Sequence, residues 1–179
     1  MMAALRNNEV RRMQTNEMLD EAIASKSDTG RFQLAISAGG AHFMADEPVE
    51  VGGLGSGPTP YQLLAAALAA CTTMTLQLYA DRKGWPVRVH CTAVGHRREE
   101  GQSPPDVFSR RIKFEGEITP EQRTRLLEIA DRCPVHRTLT EGARVRTAEA
   151  LPEAAPAIAH MADMEALIAV GRGSFDFTE

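Results

Sequence analysis

From Leu54 to Ala80 the chain carries no charged residue, and this run constrains the fold more than any other segment. Its length invites a membrane reading, since roughly 20 apolar residues cross a bilayer as a helix. Its content argues against one. Gly55, Ser56, Gly57, Pro58 and Pro60 occupy the front end, and Thr59, Thr72, Thr73, Thr75 and Gln77 dilute the hydrophobicity. What remains, built on Ala65, Ala66, Ala67, Ala69 and Ala70, is a slim helix suited to a protein interior. Thr59 as N-cap, Pro60 at the first helical position and Gln62 completing a capping box mark its start. From Leu63 to Ala80 the helix is apolar almost all round, and a chain of 179 residues has few other elements to cover it, which predicts an intertwined homodimer.

Thr119-Pro120-Glu121-Gln122 repeats the same start signal and opens a second helix, whose Leu126, Leu127, Ile129 and Ala130 form an apolar face ending near Cys133-Pro134. Between the helices, Val87, Val89, Cys91 and Ala93 alternate with polar residues as a half-buried strand, with Cys91 in the inward phase. Its partner runs from Val107 to Ile118, where Phe108, Arg110, Ile112, Phe114, Gly116 and Ile118 share one parity, and Gly101 to Pro105 is the loop between them. Earlier, Phe32, Leu34 and Ile36 lead to a Gly39-Gly40 turn and Ala41 to Ala45 returns, a hairpin. Arg144 to Thr147 reads as a last short strand. Residues 28–150 form the principal domain, flanked by helical extensions over 1–27, with a helix at Asn8 to Ser25, and over 151–179, with one at Ala157 to Val170.

A net charge of −4 excludes a broad basic surface for nucleic acid, and Arg97-Arg98 and Arg110-Arg111 read as solvated strand ends. Met1 to Leu19 has charges throughout and no apolar core of a secretory signal, so the expected location is cytoplasmic, with no membrane partner. In a reducing compartment three cysteines do not make a disulfide framework, which leaves redox chemistry, a metal or packing. Cys133, followed by Pro134 where a helix begins, lies among unpaired N–H groups that favour a thiolate. Cys71 lies mid-helix among small residues. Either alone also reads as a core cysteine, and Cys91 does so more strongly. His136 reads as a capping or surface residue, as a hydrogen-bond partner of Cys133, or as a metal ligand with Cys71 and Cys133. His96 and Arg97 fit a pocket wall and a surface strand end equally.

Gly-Gly-Leu-Gly-Ser-Gly-Pro-Thr-Pro-Tyr-Gln-Leu-Leu-Ala-Ala-Ala-Leu-Ala-Ala-Cys, residues 52 to 71, together with Cys133-Pro134, resembles the OsmC/Ohr family, and the likeness spans residues 31 to 148. That resemblance implies an α+β fold with antiparallel sheets packed around long central helices, assembled as an intertwined homodimer. It also implies reduction of organic hydroperoxides without cofactor or metal: Cys71 is peroxidatic, Cys133 is resolving, Arg31 holds the Cys71 thiolate, and a dithiol such as a lipoyl protein restores the pair. One position departs from the pattern. The family's hydroperoxide reductases carry a glutamate after the helix-opening proline, where this chain has Tyr61. With Tyr79-Ala-Asp-Arg-Lys-Gly-Trp85, the chain is more similar to a less characterised branch. The competing expectation is a non-enzymatic dimeric protein that binds a small hydrophobic ligand or senses oxidants through the same pocket.

Overall fold

Short alternating segments near the start of the described chain, residues 21–147 of the computed structural model, form an antiparallel sheet in the order β1–β2–β3. β1 is Ala22–Lys26, β2 Leu34–Ala38 and β3 Ala41–Ala45. The predicted hairpin is present: Gly39 and Gly40 turn with φ of 55° and 79°, and Ala38 pairs with Ala41 and Leu34 with Ala45. The predicted N-terminal helix needs correction where it overlaps β1. Ala22 to Lys26 pair with Ala38 to Leu34 instead, because ladder bonds along the free edge of β2 outweigh a weak helical periodicity. The remainder of that helix, and the one expected over Ala157 to Val170, lie outside the described residues.

The glycine-rich run after β3 folds around one carboxylate. Asp46 is buried, and its oxygens accept the N–H groups of Glu47 (2.9 Å), Leu54 (2.9 Å) and Ser56 (3.3 Å) and the Ser56 hydroxyl (2.9 Å). Burial works to raise the Asp46 pKa, but these bonds together hold it below the usual carboxylate value. The backbone is drawn in so closely that a Cβ on Gly57 would lie 1.9 Å from the Met44 carbonyl oxygen. No residue but glycine fits there. β1 to β3 and this loop belong to one compact unit, residues 21–60 with 145–147, and residues 61–144 form a second.

In the second unit the uncharged run becomes α1 (Pro60–Lys83), starting at the predicted proline and stopping at Gly84, whose φ is +64°. α1 is long and apolar enough to cross a membrane, yet its face from Ala65 to Ala80 is buried in the unit, so it serves as a core helix. β4 (Val87–Arg98) and β5 (Asp106–Gly116) pair antiparallel beside it. α2 (Pro120–Ala130) carries the predicted capping box: Gln122 N–H to Thr119 Oγ1 at 3.2 Å, and Thr119 N–H to Gln122 Oε1 at 3.0 Å. α3 (Pro134–Glu141) follows after three residues. Leu76, Tyr79 and Ala80 of α1 pack against Val87 and Val89 of β4 and Leu126, Ile129 and Ala130 of α2. Each fully buried leucine contributes roughly 1.5–3 kcal/mol. Gln77 fastens α1 to β4, accepting the Val89 N–H at 2.9 Å and donating to the Val87 carbonyl at 3.3 Å.

Two expectations fail in local detail. Cys91 is exposed rather than in the core, because β4 contains a bulge: Val89 pairs with Phe114 and Cys91 with Lys113, leaving His90 as the extra residue. The bulge shifts the alternation by one, so Thr92, Val94 and His96 take the inward phase beyond it. Arg144 to Thr147 form no strand, and Val145 is 88% exposed. Without a neighbouring strand to supply ladder bonds, β-branched sequence alone does not hold an extended conformation in place.

Candidate active site

α3 begins at Cys133, which caps the helix in extended conformation with φ −63° and ψ 144°. Its Sγ accepts the His136 N–H at 3.4 Å, and the Val135 N–H of the same turn reaches the other sulfur, Cys71 Sγ, also at 3.4 Å. One helix start thus serves two thiols. Cys71 and Cys133 are 2% and 0% exposed, belong to one buried cluster, and are both free. Leu68 is buried with them, and Val94, Phe108, Val135 and Leu139 surround the group. The sequence-predicted pair is brought together at a helix N-terminus, in apolar surroundings.

The third member of the site is Arg110, on the inward face of β5 with its side chain only 12% exposed. Its Nη1 donates to Thr72 Oγ1 (3.0 Å) and the Ala130 carbonyl (2.7 Å) and lies 4.0 Å from Cys133 Sγ. Its Nη2 meets Asp131 Oδ1 at 2.5 Å and lies 3.3 Å from His136 Nδ1. Because Thr72 Oγ1 accepts from the guanidinium, its own proton is directed to Cys133 Sγ, 3.6 Å away. Arg110 is therefore no solvated strand end. Thr72 is likewise a site residue that sequence reasoning treats only as a diluent of hydrophobicity. The available signal was parity, since a cation alternating in phase with Phe108, Ile112 and Phe114 points inward.

The two thiols divide one charge unequally. The hydrogen bond from Cys71 lowers the Cys133 pKa most; burial opposes it, while the Thr72 hydroxyl, the His136 N–H and the Arg110 charge add to it, leaving Cys133 at about 5. Cys71 is pushed up, first by the proton it shares with Cys133, then by burial and by the negative charge beside it. Of the two, Cys133 is the sulfur favoured as thiolate, and Cys71 the one favoured as thiol.

The other predicted residues are placed as follows. Arg31 belongs to the first unit, is exposed, and has its guanidinium 5.1 Å from the Phe32 ring centroid. His96 Nε2 donates to Asp106 Oδ1 (2.9 Å) and the ring stacks on Tyr61, centroids 4.2 Å apart, at the start of α1. His136 turns Nδ1 toward a guanidinium, an arrangement unsuited to holding a cation. Among the described residues no three His, Cys, Asp or Glu side chains gather to hold a metal ion.

Comparison with known families matches OsmC-like protein over residues 53–148, more than half of the chain. The protein belongs to the OsmC-like family. A search of curated protein sequences finds no match. Among solved structures, a protein of Psychrobacter arcticus 273-4, described with the words osmotic stress induced and detoxification response, is 19% identical, with a TM-score of 0.52 over 65% of this chain and 85% of that one. An OsmC-like protein of Mycoplasma pneumoniae is 18% identical, with a TM-score of 0.50 over 67% of this chain and 86% of its own. These two likenesses establish the α+β fold with its antiparallel sheets. An organic hydroperoxide resistance protein of Legionella pneumophila is 19% identical, covering 67% of this chain and 88% of that one, with a TM-score of 0.49.

Proposed function

We propose that the protein reduces organic hydroperoxides with the thiols of Cys71 and Cys133. The observation that carries this reading is the buried pair itself: two free cysteines in one apolar cluster, their sulfurs accepting successive N–H groups of one helix start. A thiolate breaks the peroxide O–O bond by taking the terminal oxygen, becoming a sulfenic acid as the alcohol leaves with a proton. The neighbouring thiol then displaces water and forms the disulfide. A dithiol of the lipoyl kind returns two electrons and two protons. The apolar lining of Leu68, Val94, Phe108 and Leu139 supports an alkyl or aryl hydroperoxide over hydrogen peroxide. Family resemblance expects the first attack at Cys71 with Arg31 beside it, and the role of Arg31 rests on that resemblance alone. Cytoplasmic location and assembly as a homodimer belong to the same reading.

The test is peroxide consumption by the purified protein with dihydrolipoamide as reductant, comparing cumene hydroperoxide with hydrogen peroxide. Turnover preferring the organic peroxide, and lost in both Cys71→Ser and Cys133→Ser, supports the proposal. Absence of turnover with both thiols reduced sinks it, leaving the reading as a binding or sensing protein, to which the same apolar cluster would lend its ligand pocket.

A further inference from the structure

We propose that Arg110 is the positioning residue for the second half of the reaction: it holds Cys133 as the thiolate that closes the disulfide on an already oxidised Cys71. The inference rests on the peroxidase reading and keeps its order, with Cys71 meeting the peroxide first. Three contacts and their setting carry it.

First, the cation reaches Cys133. Arg110 Nη1 stands 4.0 Å from Cys133 Sγ, which also meets the Thr72 hydroxyl at 3.6 Å and the His136 N–H at 3.4 Å. Cys71 Sγ accepts the Val135 N–H, an uncharged donor. Second, none of the three contacts at Cys133 passes through the Cys71 side chain. Arg110 comes from β5, Thr72 from α1 and His136 from the first turn of α3, so all three remain when Cys71 has become a sulfenic acid. That is the moment at which Cys133 has to be ionised, because a thiolate rather than a thiol displaces the sulfenic oxygen. Third, Arg110 is fixed. Its Nη1 donates to the Ala130 carbonyl at 2.7 Å and to Thr72 Oγ1 at 3.0 Å, and its Nη2 to Asp131 Oδ1 at 2.5 Å. The Arg110 side chain is 12% exposed and that of Asp131 67%. The anchoring carboxylate is therefore solvated, while the cation acts on the sulfur in apolar surroundings without reorganising. Among the described residues the titratable groups around Cys133 are Cys71 on α1 and Arg110 on β5, with Asp131 and the His136 ring behind Arg110 at its Nη2.

The step balances with the co-reactants already named. Cys71 has taken the distal oxygen of ROOH, and ROH has left. The Cys133 thiolate gives its electron pair to the Cys71 sulfur, the S–S bond forms and the S–O bond breaks. The oxygen leaves as water, taking up a proton equivalent to the one that Cys133 released to solvent on ionising. Cys133 sulfur is oxidised by one electron and Cys71 sulfur reduced by one, and the external dithiol then reduces the bond.

The experiment is a single turnover. Reduced full-length wild type, Arg110→Met and Arg110→Lys, freed of reductant, are mixed with one equivalent of cumene hydroperoxide at a series of pH values. Peroxide loss, dimedone-trapped sulfenic acid on Cys71 and the 71–133 disulfide are each followed in time. Peroxide loss is expected to agree within about twofold among the three proteins. Disulfide closure in Arg110→Met is expected to slow by at least about tenfold at pH 6, with sulfenic acid accumulating on Cys71. Its pH profile should move up by at least about one unit, and Arg110→Lys, which keeps the charge without the planar fork, should fall between. A merely structural role for Arg110 would slow closure without moving that profile, and this outcome overturns the inference. So does a closure rate that is unchanged, or one that slows only in step with peroxide loss; each leaves the peroxidase reading standing. Should Arg110→Met not fold, Arg110→Lys decides: a shifted closure profile supports the inference and a wild-type profile overturns it. No peroxide loss in the wild type overturns both.

Discussion

A shared proton makes the two site cysteines a single titrating unit, and this has a consequence for stability as well as chemistry. Cys133 is depressed to about 5, so ionising it stabilises the fold above the pKa of an unfolded cysteine, near 8.5, and that contribution is lost as pH falls through the folded value. Cys71 is raised, so its contribution has the opposite sign: it is present below the unfolded pKa and fades above it, where the unfolded chain ionises both thiols and the fold only one. Between about pH 5 and 8.5 the unfolded pair therefore holds one more proton than the folded pair, and stability should rise with pH. Above about 8.5 it should fall again. Urea midpoints at pH 5.5, 7, 8.5 and 9.5, taken as the difference between wild type and the double variant Cys71→Ser/Cys133→Ser, should pass through a maximum near the unfolded thiol pKa. A difference that does not vary with pH would mean both thiols stay protonated in the fold. The sequence disclosed the Cys133 half of this, through Cys-Pro at a helix start. It did not disclose Arg110, because a doublet of arginines reads as surface unless the parity of its strand is given precedence over its charge.

At the scale of elements, the start and stop signals were legible and the irregularities were not. Pro60, Thr119 with Gln122, and Gly39-Gly40 are local devices, and each element they mark begins or turns where they stand. A bulge has no such signature: its extra residue is defined by the partner strand, so Cys91 could not be taken out of the core from β4 alone. Deleting His90 tests this directly. The ladder would then run Val89–Phe114 and Cys91–Lys113 without interruption, every later residue keeping its face. The deletion also removes the ion pair of His90 with Glu115, in which both side chains are 43% exposed. The variant should fold with a loss of less than about 1 kcal/mol, since exposed pairs contribute little. A loss above about 3 kcal/mol, read from denaturant midpoints, would mean the twist that the bulge adds to β4 is required. The opposite is expected for a conservative change in the loop. Gly57→Ala sets a methyl 1.9 Å from the Met44 carbonyl oxygen, so the strand and loop must separate, and the cost should exceed about 3 kcal/mol. A Gly57→Ala protein within about 1 kcal/mol of wild type would show that the loop relaxes without the bonds to Asp46.

At the scale of the molecule, both thiols, Thr72 and Arg110 lie in the second unit, between Tyr61 and Arg144, so their mutual geometry is set by α1, β5, α2 and α3 alone. The apolar run predicts a helix needing cover on all sides, and the described chain covers one side. Leu68, Cys71, Leu76 and Ala80 are buried, whereas Met74 is 56% exposed on the remaining face. Met74 also lines an open groove with Thr73, Gln77, Leu78, Asp81, Arg88 and Val89, of about 770 Å³. An exposed apolar stripe flanked by Asp81 and Arg88, charges of opposite sign on one surface, suits a second copy of the same chain, where each can meet the other across a two-fold axis. The homodimer proposed on family grounds is therefore tested at Met74. The wild type should sediment as a dimer at micromolar concentration. Met74→Lys should shift it toward monomer by at least about tenfold in dissociation constant, because a lysine in the centre of such an interface must be desolvated or the contact abandoned. Its circular dichroism should remain that of the wild type, since Met74 is not part of the buried core of the unit. A wild-type monomer at that concentration would sink the dimer outright. A dimer unaffected by Met74→Lys would move the interface to some other part of the surface.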